Sequence, residues 1–158
     1  MSASTDAAAP PVILLLSGPN LNLLGDREPD VYGTATLDDH VTLARTTAAE
    51  LGYELEHLQS NHEGELIDAV QAARGRCVAI VVNAGAFTHS SWALHDALSA
   101  FDGVVVELHL SNPVSREPWR HTSVVSPVAD AIISGVRGTG YRLAVEAAHA
   151  LLAPTKGG

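Results

Sequence analysis

The 158-residue sequence predicts a single α/β domain built on a parallel sheet with helices on both faces. Three observations carry that prediction. Short apolar runs alternate with stretches of helical periodicity, and strands separated by helices pair in parallel. The run Val78–Asn83 is apolar almost throughout, as expected of a strand buried on both faces. The chemically notable polar residues fall just after the runs, where such sheets bind ligands: Asn20 after the first, Gln59 to Glu63 after the second, Asn83 to His89 after the third, and His109 to Arg120 after the fourth.

Each element has its own signal. Val12–Leu16 reads as the first buried strand. Thr36-Leu37-Asp38-Asp39 forms a capping box that opens a helix. That helix carries Leu37, Val41, Ala44, Ala48 and Leu51 on one stripe, and Gly52 stops it. Glu54–Gln59 is a second strand, placed toward an edge by its charges. Glu63–Arg74 is a helix ended by Gly75. Val78–Asn83 is the third strand, and Ser91–Ala100 is a helix with Leu94, Leu98 and Phe101 facing inward. Val104–Leu110 is the fourth strand, and Ala131–Ser134 is a short fifth. The glycines of GVRGTG, Gly135 to Gly140, are in the wrong order for a dinucleotide fingerprint and give a tight strand-to-helix turn. Gly140–Leu152 is the closing helix. Residues 1–11, small and rich in Ala and Pro, read as a disordered leader. Residues 12–153 read as one domain, and residues 154–158 as a flexible tail.

Composition narrows the function classes. A net charge of −9 excludes a basic nucleic-acid footprint, so any positive field must be local. Eight of the nine cations are arginines. Arg27, Arg116 and Arg120 fall in segments read as loops, and the guanidinium fork suits a carboxylate. Cys77 is the only cysteine, which rules out an intrachain disulfide and points to a reducing compartment. The leader lacks the basic start and long apolar core of a signal peptide, and no apolar run approaches the roughly 20 residues of a membrane span. A cytoplasmic protein without membrane contact is expected.

Several chemistries lack their residues. There is no HExxH, no helical His-x-x-x-His pair and no cysteine pair, so no metal is expected. No G-x-S-x-G elbow is present, although Ser90 and Ser91 neighbour His89. The one lysine, Lys156, sits in the glycine-ended tail, which argues against a Schiff base.

Three segments can carry chemistry. GPNLNLLGDREPDVYG, Gly18 to Gly33, places Asn20, Arg27 and Tyr32 on a loop hinged at Gly25 and Gly33. A free tyrosine, with a reference pKa of about 10, is a poor base at neutral pH. A nearby guanidinium favours the phenolate, so the segment suits proton abstraction. In ELHLSNPVSREPWRH, Glu107 to His121, strand geometry points Glu107 and His109 the same way. A carboxylate-oriented imidazole is a good general acid, but the pair equally fits a buried histidine satisfied by its neighbour. In NAGAFTHSSWALHDAL, Asn83 to Leu98, small residues beside Asn83 let a ligand approach the backbone. His89 either serves that site or caps the following helix. Asp96 is a solvated charge, an interface charge or part of a site.

Together these segments and QSNHEGELIDAV resemble, in order and spacing, the type II 3-dehydroquinate dehydratases. The resemblance spans about Val12 to Leu152. It implies a flavodoxin-like fold with five parallel strands, a homododecamer built as a tetramer of trimers, and no cofactor or metal. It implies reversible anti elimination of water from 3-dehydroquinate through an enolate, giving 3-dehydroshikimate. By the same resemblance Tyr32 is the base with Arg27 beside it, and His109, oriented by Glu107, is the acid. Asn20 stabilises the enolate. Asn83, His89, the Leu110–Ser111 backbone and Arg120 hold the substrate's hydroxyls and carboxylate, and Asp96 reaches a neighbouring subunit's site. This chain departs from the family pattern at Ser17, where asparagine is usual, and at His121-Thr122, where a second basic or histidine residue is common. The competing reading of the residues is a module that binds a nucleotide or other small ligand without chemistry. It calls for a phosphate-cradling glycine loop or an acid after the second strand for ribose, and neither is present.

Overall fold

A computed structural model describes residues 7–154. Five strands, β1 (Val12–Ser17), β2 (Glu54–Gln59), β3 (Cys77–Asn83), β4 (Val104–His109) and β5 (Ala131–Ser134), form one sheet in the order β2-β1-β3-β4-β5. All neighbours pair in parallel. This is the flavodoxin-like doubly wound order. β2 lies at one edge, as its charges imply, and β3 lies at the centre.

Alternation along the strands builds two cores. Ile13, Leu15, Val81 and Val106 face α2 (Leu37–Glu50) and α5 (Thr139–Leu152), where Val41, Ala44, Tyr141 and Val145 meet them. Leu14, Leu16, Ile80 and Val82 face α3 (Glu63–Ala73) and α4 (Trp92–Ser99), packing on Leu66, Val70, Leu94 and Leu98. Each buried Val, Leu or Ile among them contributes roughly 1.5–3 kcal/mol, so the two cores fix the sheet between its helices.

Local signals act as the sequence implies. Thr36 Oγ1 accepts from the Asp39 amide at 3.2 Å, and Asp39 Oδ2 accepts from the Thr36 amide at 2.9 Å, completing the capping box of α2. Such a cap is worth about 1 kcal/mol. Gly135 turns the chain between β5 and α5 with φ +83°.

The difference lies between Gly18 and Gly33. Where the sequence predicts only a loop, a 3-10 turn (Leu21–Leu23) is followed by one helical turn, α1 (Pro29–Tyr32). Pro29, at the first helical position, supplies the preset φ, but four residues are too few for periodicity to register. Elements elsewhere shift by a residue or so at their ends. Ala7 to Pro11 have no regular structure. The rest of the predicted leader, and the tail from residue 155, lie outside the described residues.

The sheet register positions the site. Ser17 pairs with both Gln59 and Asn83, so β1, β2 and β3 end at one level. Beyond them Gly18 donates to the Asn83 carbonyl at 2.8 Å. A Cβ at Gly18 would lie 2.3 Å from the Ala84 carbonyl oxygen, so only glycine lets these two strand-end loops touch.

Candidate active site

The loops after β1, β3 and β4 enclose a cavity, and α1 lies over it. Nearly every residue singled out from the sequence lines it: Asn20, Arg27 and Tyr32 from the first loop; Asn83 and His89 from the second; His109, Leu110, Ser111 and Arg120 from the third. Two do not. Glu107 sits behind His109, in an adjoining pocket. Asp96 lies on α4 beside a separate groove shared with α3.

Of the three tyrosines, only Tyr32 reaches this cavity. Tyr53 pairs with His149 Nδ1 at 2.9 Å, outside it. Tyr141 is fully buried, and burial pushes its phenol up to about 12. The Tyr32 hydroxyl accepts a hydrogen bond from Arg116 Nη1 at 2.7 Å. Arg116 also donates to Ser111 Oγ at 3.3 Å, which fixes its direction. Arg27, the partner nearest in sequence, instead places its guanidinium 5.6 Å from the Tyr32 ring centroid and pairs with Glu28 at 3.4 Å. Two arginines therefore flank the ring, and the one bonded to the phenol oxygen comes from the β4 loop, 84 positions away.

His109 Nε2 lies 2.9 Å from Glu107 Oε1. Glu107 is 1% exposed. Burial pushes its carboxyl up, but hydrogen bonds from His109, Ser123 and Ser126 outweigh it and hold the group below its ordinary value. A buried carboxylate on Nε2 leaves Nδ1 as the ring nitrogen turned away from Glu107. The strand period alone brought Glu107 and His109 to one face, as expected.

The remaining groups are held from behind. Asn20 adopts a left-handed backbone, φ 66°, and its amide donates to Asn61 Oδ1 at 3.0 Å. Gln59 Nε2 donates to Asn61 Oδ1 at 3.1 Å and to the Gly18 carbonyl at 3.2 Å. The polar cluster after β2 therefore buttresses the β1 loop and does not line the cavity. Asn83 Oδ1 accepts from the Gly85 amide at 3.2 Å. His89 does not cap α4; Ser91 Oγ does, accepting from the Leu94 amide at 3.0 Å. The His89 ring instead uses Nδ1 on the Thr122 carbonyl at 2.8 Å. Arg120 is braced by Glu117 at 2.6 Å and lies 4.0 Å from the Trp119 ring centroid. Ser17 Oγ bonds His57 Nε2 at 2.9 Å, so the departing residue is engaged beneath the site. His121 Nε2 donates to the Arg116 carbonyl at 2.9 Å, steadying the loop that carries that arginine.

The cavity holds three arginines, and among the described residues its lining includes no carboxylate, in a chain of net charge −9. The arginines' carboxylate partners, Glu28 for Arg27 at 3.4 Å and for Arg116 at 3.9 Å and Glu117 for Arg120 at 2.6 Å, stand outside the lining, so the lining offers guanidinium donors to an anionic ligand. A phenol bonded to a guanidinium and a carboxylate-held imidazole share the same space, which suits proton removal at one point and proton delivery at another.

Comparison with known proteins agrees with this architecture. The family model described as dehydroquinase class II matches residues 11–149. A 3-dehydroquinate dehydratase of Corynebacterium glutamicum is 55% identical over 87% of this chain and 94% of its own. The 3-dehydroquinate dehydratase 2 of Pseudomonas putida is 54% identical over 85% of this chain and 91% of its own. The crystal structure of the type II dehydroquinase from Butyrivibrio crossotus superposes with a TM-score of 0.85 at 39% identity, covering 88% of this chain and 97% of that one. With its strand order, its strand-end cavity and these likenesses, the chain belongs to the class II dehydroquinase family.

Proposed function

We propose that this protein is a 3-dehydroquinate dehydratase, a hydro-lyase that eliminates water from 3-dehydroquinate to give 3-dehydroshikimate. The observation that carries the reading is the pairing, within one arginine-lined cavity, of a guanidinium-bonded phenol with a carboxylate-held imidazole.

The chemistry follows from those groups. The ketone acidifies the adjacent C2 hydrogen. Tyr32, as phenolate, takes that proton, and the C–H electron pair becomes an enolate. Arg116 donates to the phenol oxygen and Arg27 adds a second positive charge beside the ring, and both stabilise the phenolate. Asn20 supplies a donor where the enolate charge develops, an effect worth about 3–4 kcal/mol for one well-placed group. His109 then protonates the C1 hydroxyl, the C–O bond breaks, and water leaves as the C1–C2 double bond forms. Arg120 holds the substrate carboxylate. Asn83, His89 and the Leu110–Ser111 backbone hold its hydroxyls. Gly25 and Gly33, both at positive φ, let the intervening segment close over the substrate and exclude water. No metal or cofactor takes part.

The reading extends to assembly and place. The enzyme is a cytoplasmic homododecamer, a tetramer of trimers, with Asp96 offered to a neighbouring subunit's site. Supporting this, Trp92 is 63% exposed on α4, one turn before Asp96, and tryptophan is enriched at contact surfaces. No described helix is long and apolar enough to cross a membrane.

The test is direct. Adding 3-dehydroquinate should produce the near-ultraviolet absorbance of a conjugated enone, unaffected by chelator or by borohydride. Absence of the signal with folded protein would refute the reading, and inactivation by borohydride would point to an imine in its place.

A further inference from the structure

We propose that Ser123 and Ser126, in the segment between the Arg120 loop and β5, are positioning residues that act through Glu107 to fix where His109 carries its proton. The inference rests on His109 being the acid of the proposed elimination.

The hydrogen-bond directions leave little choice. Ser123 Oγ accepts the Val125 amide at 3.1 Å and the Ser126 amide at 3.0 Å. With both lone pairs engaged, its own proton is free to go only to Glu107 Oε1, 2.6 Å away. Ser126 Oγ has one partner among the described residues, Glu107 Oε2. Oε1 thus takes Ser123 and His109, and Ser126 holds Oε2, three contacts that keep Glu107 ionised and below its ordinary value despite its burial. With Glu107 ionised, the proton shared with His109 sits on Nε2 and is donated to Oε1. The other ring nitrogen, Nδ1, is then the one that delivers a proton to the leaving hydroxyl. Without these donors a nearly dry carboxylate would compete for the imidazole's proton, because burial disfavours the charged form.

Neither serine lines the cavity that holds Tyr32; both line the adjoining pocket with Glu107. They act on the chemical step and not on binding. The titratable groups around the pair come from several elements: Tyr32 and Arg27 from the α1 segment, His89 from the β3 loop, and Arg116, Arg120 and His121 from the β4 loop.

The discriminating variant is Ser126→Ala, because Ser123→Ala also removes an acceptor from two backbone amides. In Ser126→Ala, kcat should fall on the order of tenfold, the loss expected for one hydrogen bond to a charged group, with KM unchanged. The acid limb of the kcat profile should move toward neutral pH, because Glu107 then protonates more readily. Ser126→Thr should restore both. In a Glu107→Gln background, Ser126→Ala should cost nothing further. The imidazole nitrogen shifts of the resting protein, with His109 assigned by its loss in His109→Gln, test the same point without turnover. They should show Nε2 protonated in the wild type and a mixed population in Ser126→Ala. An unchanged kcat and unchanged shifts would overturn the proposal. So would a loss confined to KM, or an equal loss in the Glu107→Gln background. A wild type that does not turn over 3-dehydroquinate would refute the acid role instead, and the nitrogen shifts would still decide the serines' part.

Discussion

Tyr32 depends on Arg116, a residue far along the chain. A guanidinium N–H 2.7 Å from the phenol oxygen is a fixed donor that needs no rearrangement when the oxygen becomes an anion. Arg27 contributes charge near the ring but no bond to that oxygen. Arg116→Ala should therefore lower kcat on the order of a hundredfold, while Arg27→Ala should cost less. Steady-state rates of enone formation separate the two. A larger loss at Arg27 would reverse their roles. Sequence proximity pairs Tyr32 with Arg27, because the two share a segment. The contact with Arg116 spans 84 positions, and no local spacing encodes it. Glu107 and His109, by contrast, were legible because a strand's period of two leaves one choice of face. Ser123 and Ser126 were invisible: isolated serines in a loop carry no pattern.

The elements show the same division. Strands buried on both faces and helices with an apolar stripe announce themselves, and the Thr36–Asp39 cap marked the start of α2 to the residue. The one-turn helix α1 did not, since its four residues present no face. Between α2 and α5 lies a contact with a consequence for stability. His40 stacks on Tyr141, ring centroids 4.9 Å apart and planes 4° from parallel. Burial lowers the His40 pKa below 6.5, against the pull of Asp39. His57, beneath Ser17, is lowered likewise by burial and by Arg45. Both rings are neutral in the fold and bind protons more readily when it opens. Their contribution is complete above about pH 6.5 and is lost as pH falls from there through the folded values. Thermal midpoints should drop accordingly as pH falls below about 6.5. His40→Phe, which keeps the stack, should flatten part of that slope and leave the share due to His57. An unaltered slope would show that His40 does not charge on unfolding.

At the scale of the whole molecule, an acidic protein has gathered three arginines at one sheet end, and among the described residues no carboxylate lines that cavity. The parallel register does this by ending β1, β2 and β3 at one level, so loops distant in sequence converge. Light scattering should give about 200 kDa, twelve times the 16.5 kDa chain; a monomer would remove any role for Asp96 in a neighbour's site. The central claim is that the Tyr32 oxygen removes the substrate proton. Its most direct test is turnover of 3-dehydroquinate by Tyr32→Phe, measured on protein whose assembled mass matches the wild type. The rate should fall by a factor on the order of a thousand; a rate near the wild-type value would contradict the claim.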